Sequence, residues 1–283
     1  MTTTDTAASA AEAAKPVNEI WETIKTISVA LLIALAIKTV FLQPFTIPSA
    51  SEEPNLYEGD YIVVSKWPYG YSHHSILFSP PIFSGRILFS PPRRGDVIVF
   101  KLPSADGKID YVKRLVGLPG DKIQVRNGHL FINDKALPTQ VEKTVNVEDR
   151  LFAEQANWVR ETNPEGRTYL TQIHGVGTEP GDATGVYVVP PHCYFMMGDN
   201  RENSLDSRFD SGLAPDDPKL HGCAWDSRLD AYLPQEPGVG FVPEENLVGR
   251  AEIVLLSWNR GASIFLPWTW LDLRWNRFFH LIH

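Results

Sequence analysis

The chain has 283 residues, enough for one large domain or two modest ones with a packed core. An apolar share of 43% and a charged share of 21% exclude wholesale disorder, and a net charge of −8 without any long basic run excludes a nucleic-acid-binding surface. Two cysteines, Cys193 and Cys223, are too few for a disulfide scaffold and lack metal-ligand spacing; a single bridge and two separate buried thiols both fit, the thiols being the plainer reading.

Residues 1–19, rich in Thr and Ala without apolar periodicity, read as a disordered tail. From 20 to 42 the chain turns apolar, and a helix over that span would be about 35 Å long, enough to cross a bilayer core of about 30 Å. Lys25 and Lys38 bracket its core, Ile27–Ile37, and could snorkel to the headgroups. A buried amphipathic helix is the weaker reading, because 29–37 has no polar face. So is a cleaved leader ending in Ser49-Ala50-Ser51, because the long mixed-charge segment ahead makes a poor n-region. Lys15 and Lys25 precede the apolar core, so the positive-inside rule favours an N-terminus in the cytoplasm and residues 43–283 outside.

Beyond the anchor, β signals dominate. Tyr61–Ser65, Asp96–Phe100, Lys122–Arg126 and His129–Asn133 are short runs rich in β-branched or aromatic residues, bounded by turn residues. Asn127-Gly128 predicts a hairpin, since both residues tolerate positive φ. Further strands are expected at Gly185–Val189, Cys193–Met197 and Ala251–Ser257. The string Ile-Leu-Phe-Ser-Pro-Pro occurs at 76–81 and 87–92, too short a repetition for a repeat architecture, and reads as a Pro-rich loop. Residues 140–184 and 209–240 are polar, with few strand signals, and read as insertions. Trp268, Trp270, Trp275, Phe278 and Phe279 near the C-terminus suit either a buried cap or a membrane interface.

The usual hydrolase signatures are absent: no His-Glu-x-x-His, no Gly-x-Ser-x-Gly, no phosphate loop, no dinucleotide fingerprint. None of the eight histidines sits in a turn that looks built to orient a base. Three polar clusters remain. Ile47-Pro-Ser-Ala-Ser-Glu-Glu-Pro-Asn-Leu56 sets two serines two apart between prolines that restrict the backbone. In Asp110–Asp121, Lys113 and Arg114 point to opposite faces if the segment is a strand, so one of them faces inward. A buried amine is desolvated, and a neutral amine can take a proton from a serine. The third cluster, Met197–Arg208, is a polar turn after an apolar strand.

In this order the clusters resemble the bacterial type I signal peptidases, serine proteases with a Ser/Lys dyad. That family carries an anchor, then Pro-Ser-x-Ser-Met, Arg-Gly-Asp-Val, Lys-Arg and Gly-Asp-Asn-Arg-x-x-Ser-x-Asp-Ser-Arg boxes. The matching stretches here are 48–54, 94–100, 111–121 and 198–208, followed by Gly249-Arg250-Ala251. The resemblance implies Ser51 as nucleophile, Lys113 as general base, and Ser49 as oxyanion donor beside the Ser51 N–H. It implies Ser204 as the group that orients Lys113, Asp206 and Arg208 as a supporting ion pair, and Asp199, Asn200 and Arg114 as further supports. It implies a mainly β fold, a membrane-anchored antiparallel β catalytic core with an inserted β-rich cap over 127–190 and one N-terminal transmembrane helix. The expected setting is the bacterial inner membrane, single-pass, with the catalytic domain on the periplasmic side. The expected partners are the lipid bilayer and secretory preproteins with small residues before the cut; no metal or cofactor is implied.

One position departs from the family. Glu52 stands where Met is usual, and its charge would oppose both oxyanion formation and deprotonation of Lys113 if it faced the site. Strand alternation turns residue 52 away from Ser51. A second Asp-Ser-Arg, at 226–228, lacks the glycine-rich context and reads as a decoy. Two rivals remain, another Ser/Lys endopeptidase of the self-cleaving-repressor kind and a non-catalytic preprotein-binding relative inactivated by Glu52. The anchor argues against the first and the intact dyad positions against the second.

Overall fold

The apolar run after residue 18 folds as one continuous helix, α1 (Glu19–Val40), with none of its side chains buried against the rest of the chain. At 1.5 Å per residue it is about 33 Å long, and it is long and apolar enough to cross a membrane. The computed structural model describes residues 19–76, 79–105, 108–148, 153–175, 180–224, 238–259, 262 and 266–283. The tail 1–18 and the second Asp-Ser-Arg, 226–228, lie outside them.

The helix ends earlier than its hydropathy suggests. Residues 41 and 42 belong to the sheet: strand β1 (Leu42–Thr46) pairs along its whole length with β2 (Asp60–Ser65), and Lys66 N donates to Phe41 O at 3.0 Å. Removing residues 1–40 should therefore give a folded domain that no longer pellets with membranes, whereas a cut beyond residue 42 should destabilise it. Membrane fractionation with thermal unfolding checks this; a folded 41–283 still held by membranes would show a second attachment.

The remaining strands are β3 (Val97–Lys101), β4 (Asp110–Gly117), β5 (Lys122–Arg126), β6 (His129–Ile132) and β7 (Lys135–Ala136). They continue with β8 (Thr139–Glu148), β9 (Ala153–Thr162), β10 (Thr168–Ile173), β11 (Tyr187–Val188) and β12 (Cys193–Met197). The last are β13 (Val242–Pro243), β14 (Leu247–Ser257) and β15 (His280–Leu281). The large sheet runs β1-β2-β14-β3-β4-β12-β13, with β15 added to β14, and all its pairings are antiparallel. Its central strands are buried on both faces, which is why residues 97–100 and Cys193–Met197 read as unbroken apolar runs. Leu56, Ile62, Val64, Val97, Val99 and Val254 fill one side, and Ile98, Phe100, Leu115, Met196 and Val242 the other. Irregularities in the β14 register bend this sheet. At one of them Gly249 lies so close to β2 that a Cβ would stand 2.2 Å from Ser65 O, so only glycine fits.

The expected cap is present as two small sheets, β11-β5-β6-β7 and β10-β9-β8. The Asn127-Gly128 hairpin forms as read, with φ of 49° and 74°. Residues 140–184, read as an insertion with few strand signals, hold three strands of that cap. Strands β8, β9 and β10 form a three-stranded sheet whose outer strand β8 is largely exposed. Cross-strand polar pairs hold it instead: Arg160 Nε to Glu142 Oε1 at 2.5 Å, Thr144 Oγ1 to Asn157 Oδ1 at 2.8 Å, and Lys143 Nζ 3.8 Å from the Trp158 ring centre.

The described part of 209–240 is irregular, with a single short helical turn at Pro218–Leu220. It is tied down by a disulfide between Cys193 of β12 and Cys223, Cα atoms 5.7 Å apart, which overturns the two-thiol reading. At the C-terminus, Arg277 pairs with buried Asp60 at 2.5 Å and β15 docks on β14, yet Trp268, Trp270, Trp275 and Phe279 stay exposed. The aromatic tail is docked through its polar and backbone groups rather than packed as a buried cap.

Candidate active site

Between β1 and β2 the chain makes a tight turn. Ser49 is extended, and residues 50–52 form a single turn of 3₁₀ helix. Two bonds from Asn200 fix this turn: its N–H donates to Ser51 O at 3.1 Å and its Nδ2 to Ala50 O at 3.2 Å. Ser49 is exposed and Ser51 half-buried, their hydroxyl oxygens 3.4 Å apart.

Strand β4 supplies the amine. Lys113 Nζ is in hydrogen-bond contact with Ser51 Oγ, lies 3.0 Å from Val112 O, and is 3.5 Å from Glu52 Oε1. The strand alternates as expected, but both lysine and arginine are buried, at 2% and 1% exposure, correcting the expectation that only one would face inward. The second face is covered by the cap sheet and the loop after β12. There Arg114 meets Asp199 with two bonds of 2.7 and 2.8 Å, and its guanidinium lies 4.3 Å from the Tyr169 ring centre. Asn55 Nδ2 donates to Asp199 Oδ2 at 2.7 Å and to Leu170 O at 2.6 Å, tying the serine turn to both.

Glu52 overturns the expectation drawn from strand alternation. Because 50–52 is a helical turn, its side chain swings inward, 1% exposed, towards Lys113, with Oε2 buried and unbonded. Burial pushes this carboxyl well above its ordinary range, while the charge of Lys113 pulls the other way.

The loop after β12 closes the site. Gly198 passes so near the serine turn that a Cβ there would stand 2.3 Å from Ser204 Oγ and 2.5 Å from Ser51 O. Asp206 holds this loop: its carboxylate accepts from Gly198 N at 3.0 Å, from Arg208 N at 3.1 Å and from Arg208 Nε at 2.9 Å. Ser204 lines the same cleft, of about 720 Å³, but its buried Oγ has no hydrogen-bond partner. Among the described residues no three His, Cys, Asp or Glu side chains converge as a metal site requires.

A family model described as "Signal peptidase, peptidase S26" matches residues 20–258. The chain belongs to this signal peptidase family. A signal peptidase I from Rickettsia canadensis is 41% identical over 278 residues, 92% of each chain. One from Rickettsia typhi is 36% identical over 246 residues, covering 83% of this chain and 81% of that one. A crystal structure of a signal peptidase I from Enterococcus faecalis covers 57% of this chain at 24% identity with a TM-score of 0.27, too low to carry an argument. Family membership makes the chain a hydrolase of the peptidase class.

Within this signal peptidase the serines Ser49 and Ser51, Lys113, and the Asp199–Asn200 pair come together. Asp206 and Arg208 form their ion pair one layer behind, and Ser204 stands at the cleft without reaching Lys113 through any bond. The motifs gave no role to Asn55, or to Arg201, which is buried and bonded to Glu161 at 2.7 and 2.5 Å. Asn55 lies in the polar cluster Ile47–Leu56 and Arg201 inside a motif stretch, where their nearness was a usable signal; Glu161 sits in a polar strand that carries none.

Proposed function

We propose that the chain removes signal peptides from secretory preproteins through an acyl-enzyme on Ser51. The observation that carries this is the contact between Ser51 Oγ and the buried amine of Lys113 on the wall of an open cleft. Ser51 attacks the scissile carbonyl as its proton passes to the neutral amine of Lys113, which then protonates the departing amine of the mature chain. The Ser51 N–H and the exposed Ser49 hydroxyl receive the oxyanion. Water, activated by the same amine, releases the signal peptide. The edge strand β1 leads directly into Ser49, so an extended substrate can add to it and place a small side chain beside the turn.

The membrane setting fits the same reading. Helix α1 anchors the chain, and the exposed Trp268, Trp270 and Trp275 suit a headgroup layer near the cleft domain. The Cys193–Cys223 bridge suits an oxidising compartment and so supports a domain outside the cytoplasm.

The test is purified full-length protein incubated with a preprotein, the new N-terminus read by mass spectrometry. A single cut after small residues is expected, and no cut under conditions where the protein is folded would refute the reading. Ser49→Ala should slow the same cleavage by about 10²–10³-fold, the usual cost of one oxyanion donor; a wild-type rate would remove Ser49 from that role.

A further inference from the structure

A neutral lysine amine has two N–H bonds and one lone pair, and it serves as a base for Ser51 only if the lone pair faces Oγ. Something must therefore hold the two hydrogens elsewhere. Two acceptors lie near Lys113 Nζ besides Ser51: Val112 O at 3.0 Å and Glu52 Oε1 at 3.5 Å. The hydroxyl of Ser204, which the resemblance puts in the orienting role, has no hydrogen-bond partner. We infer that Glu52 is the positioning residue of the reacting amine, its carboxyl accepting one N–H of Lys113 and so turning the lone pair towards Ser51. This rests on the Ser51/Lys113 reading and adds a third member to that unit.

Three features make Glu52 more than a packing residue. It is 1% exposed, and its second oxygen has no partner, so the protein bears the cost of burying a polar group there. The charged groups facing it are Lys113 and Arg114 from β4 and Asp199 from the loop after β12. Asp199 is taken up by Arg114 and Asn55, which leaves Lys113 as the cation that meets Glu52. Finally, the helical turn that bears Ser51 also bears Glu52, so anything that sets the turn sets both groups against the amine.

The experiment compares kcat and KM of wild type, Glu52→Leu, Glu52→Gln and Ser51→Ala on one preprotein across acidic to alkaline pH. Leucine removes the acceptor, and the plateau kcat should fall by about tenfold or more with little change in KM. Glutamine keeps a carbonyl acceptor of the same shape and should recover most of that loss. Without a carboxylate to favour the charged amine, its acidic limb should move down by about one pH unit. Equal loss in both variants overturns the positioning role, and so do wild-type plateaus with superimposable profiles in both. Thermal unfolding guards against a misfolded Glu52→Leu, and the near-isosteric Glu52→Gln keeps the limb shift decisive in any case. Activity surviving in Ser51→Ala would instead bring down the reading on which this one rests.

Discussion

Ser51→Ala and Lys113→Met are each expected to lower signal-peptide cleavage by about 10⁴-fold or more, and the double variant should be no slower than either single one. The reason is geometric. The hydroxyl and the amine touch each other, and among the described residues the Lys113 amine otherwise meets Val112 O, Glu52 and the Tyr111 ring, 5.8 Å away. Methionine is the better replacement for Lys113, because it keeps the volume of a side chain that is 2% exposed and avoids a cavity beside Glu52. Single-turnover cleavage with excess enzyme measures the chemical step, and thermal unfolding shows whether each variant is folded. Either single variant retaining a tenth of the wild-type rate would break the dyad, and strictly additive losses would show two independent groups.

The parts of the fold that burial dictates were legible. Cys193–Met197 is buried at every position and reads as an unbroken apolar run; Asn127-Gly128 turns because both residues accept positive φ. The site was legible only as fragments. Ser51 and Lys113 are 62 residues apart, and nothing in either segment says that they meet; four motifs in a fixed order supplied that link. What failed was local geometry that tertiary contacts impose. Period-two alternation put Glu52 away from Ser51, but Asn200, nearly 150 residues on, clamps the turn as a 3₁₀ helix and brings Glu52 in. Alternation did place Lys113 and Arg114 on opposite faces, yet it could not foresee that Asp199 and Tyr169 bury the second face as well.

The same limit explains why the individual strands β8 to β10 and the disulfide were not read from the sequence. Strand β8 is largely exposed and rich in charged and amide side chains; cross-strand pairs such as Arg160 with Glu142 stabilise it, and pairing partners cannot be read from one strand. The Cys193–Cys223 bridge joins an apolar strand to a polar loop, and the two cysteines meet in a buried cluster with Phe195 and Phe241 that neither segment announces by itself. Hydropathy set the anchor's end too late for a related reason: Phe41 and Leu42 are apolar enough for a membrane, but their backbone is already engaged by the sheet.

Asp206→Asn is expected to destabilise the domain by about 3–5 kcal/mol, because it leaves the buried guanidinium of Arg208 without its counter-charge. Asp206 is fully buried and Arg208 is 1% exposed, so water cannot take the lost partner's place. Burial by itself would raise the Asp206 carboxyl, but the charge and hydrogen bonds of Arg208, with the N–H of Gly198, outweigh it and hold the group below its ordinary value. A carboxyl depressed in the folded state contributes stability that is fully present above its unfolded pKa of about 4, and that contribution is lost as pH falls through the lower folded value. The gap between wild type and Asp206→Asn should therefore be widest near neutrality and close in strong acid. Urea unfolding of the 41–283 domain at neutral and acidic pH measures both, and a gap independent of pH would show that the carboxylate's charge is not what holds the loop. Cleavage should fall along with stability, because Asp206 fixes Gly198, and the loop that follows carries Asn200, which clamps Ala50 and Ser51.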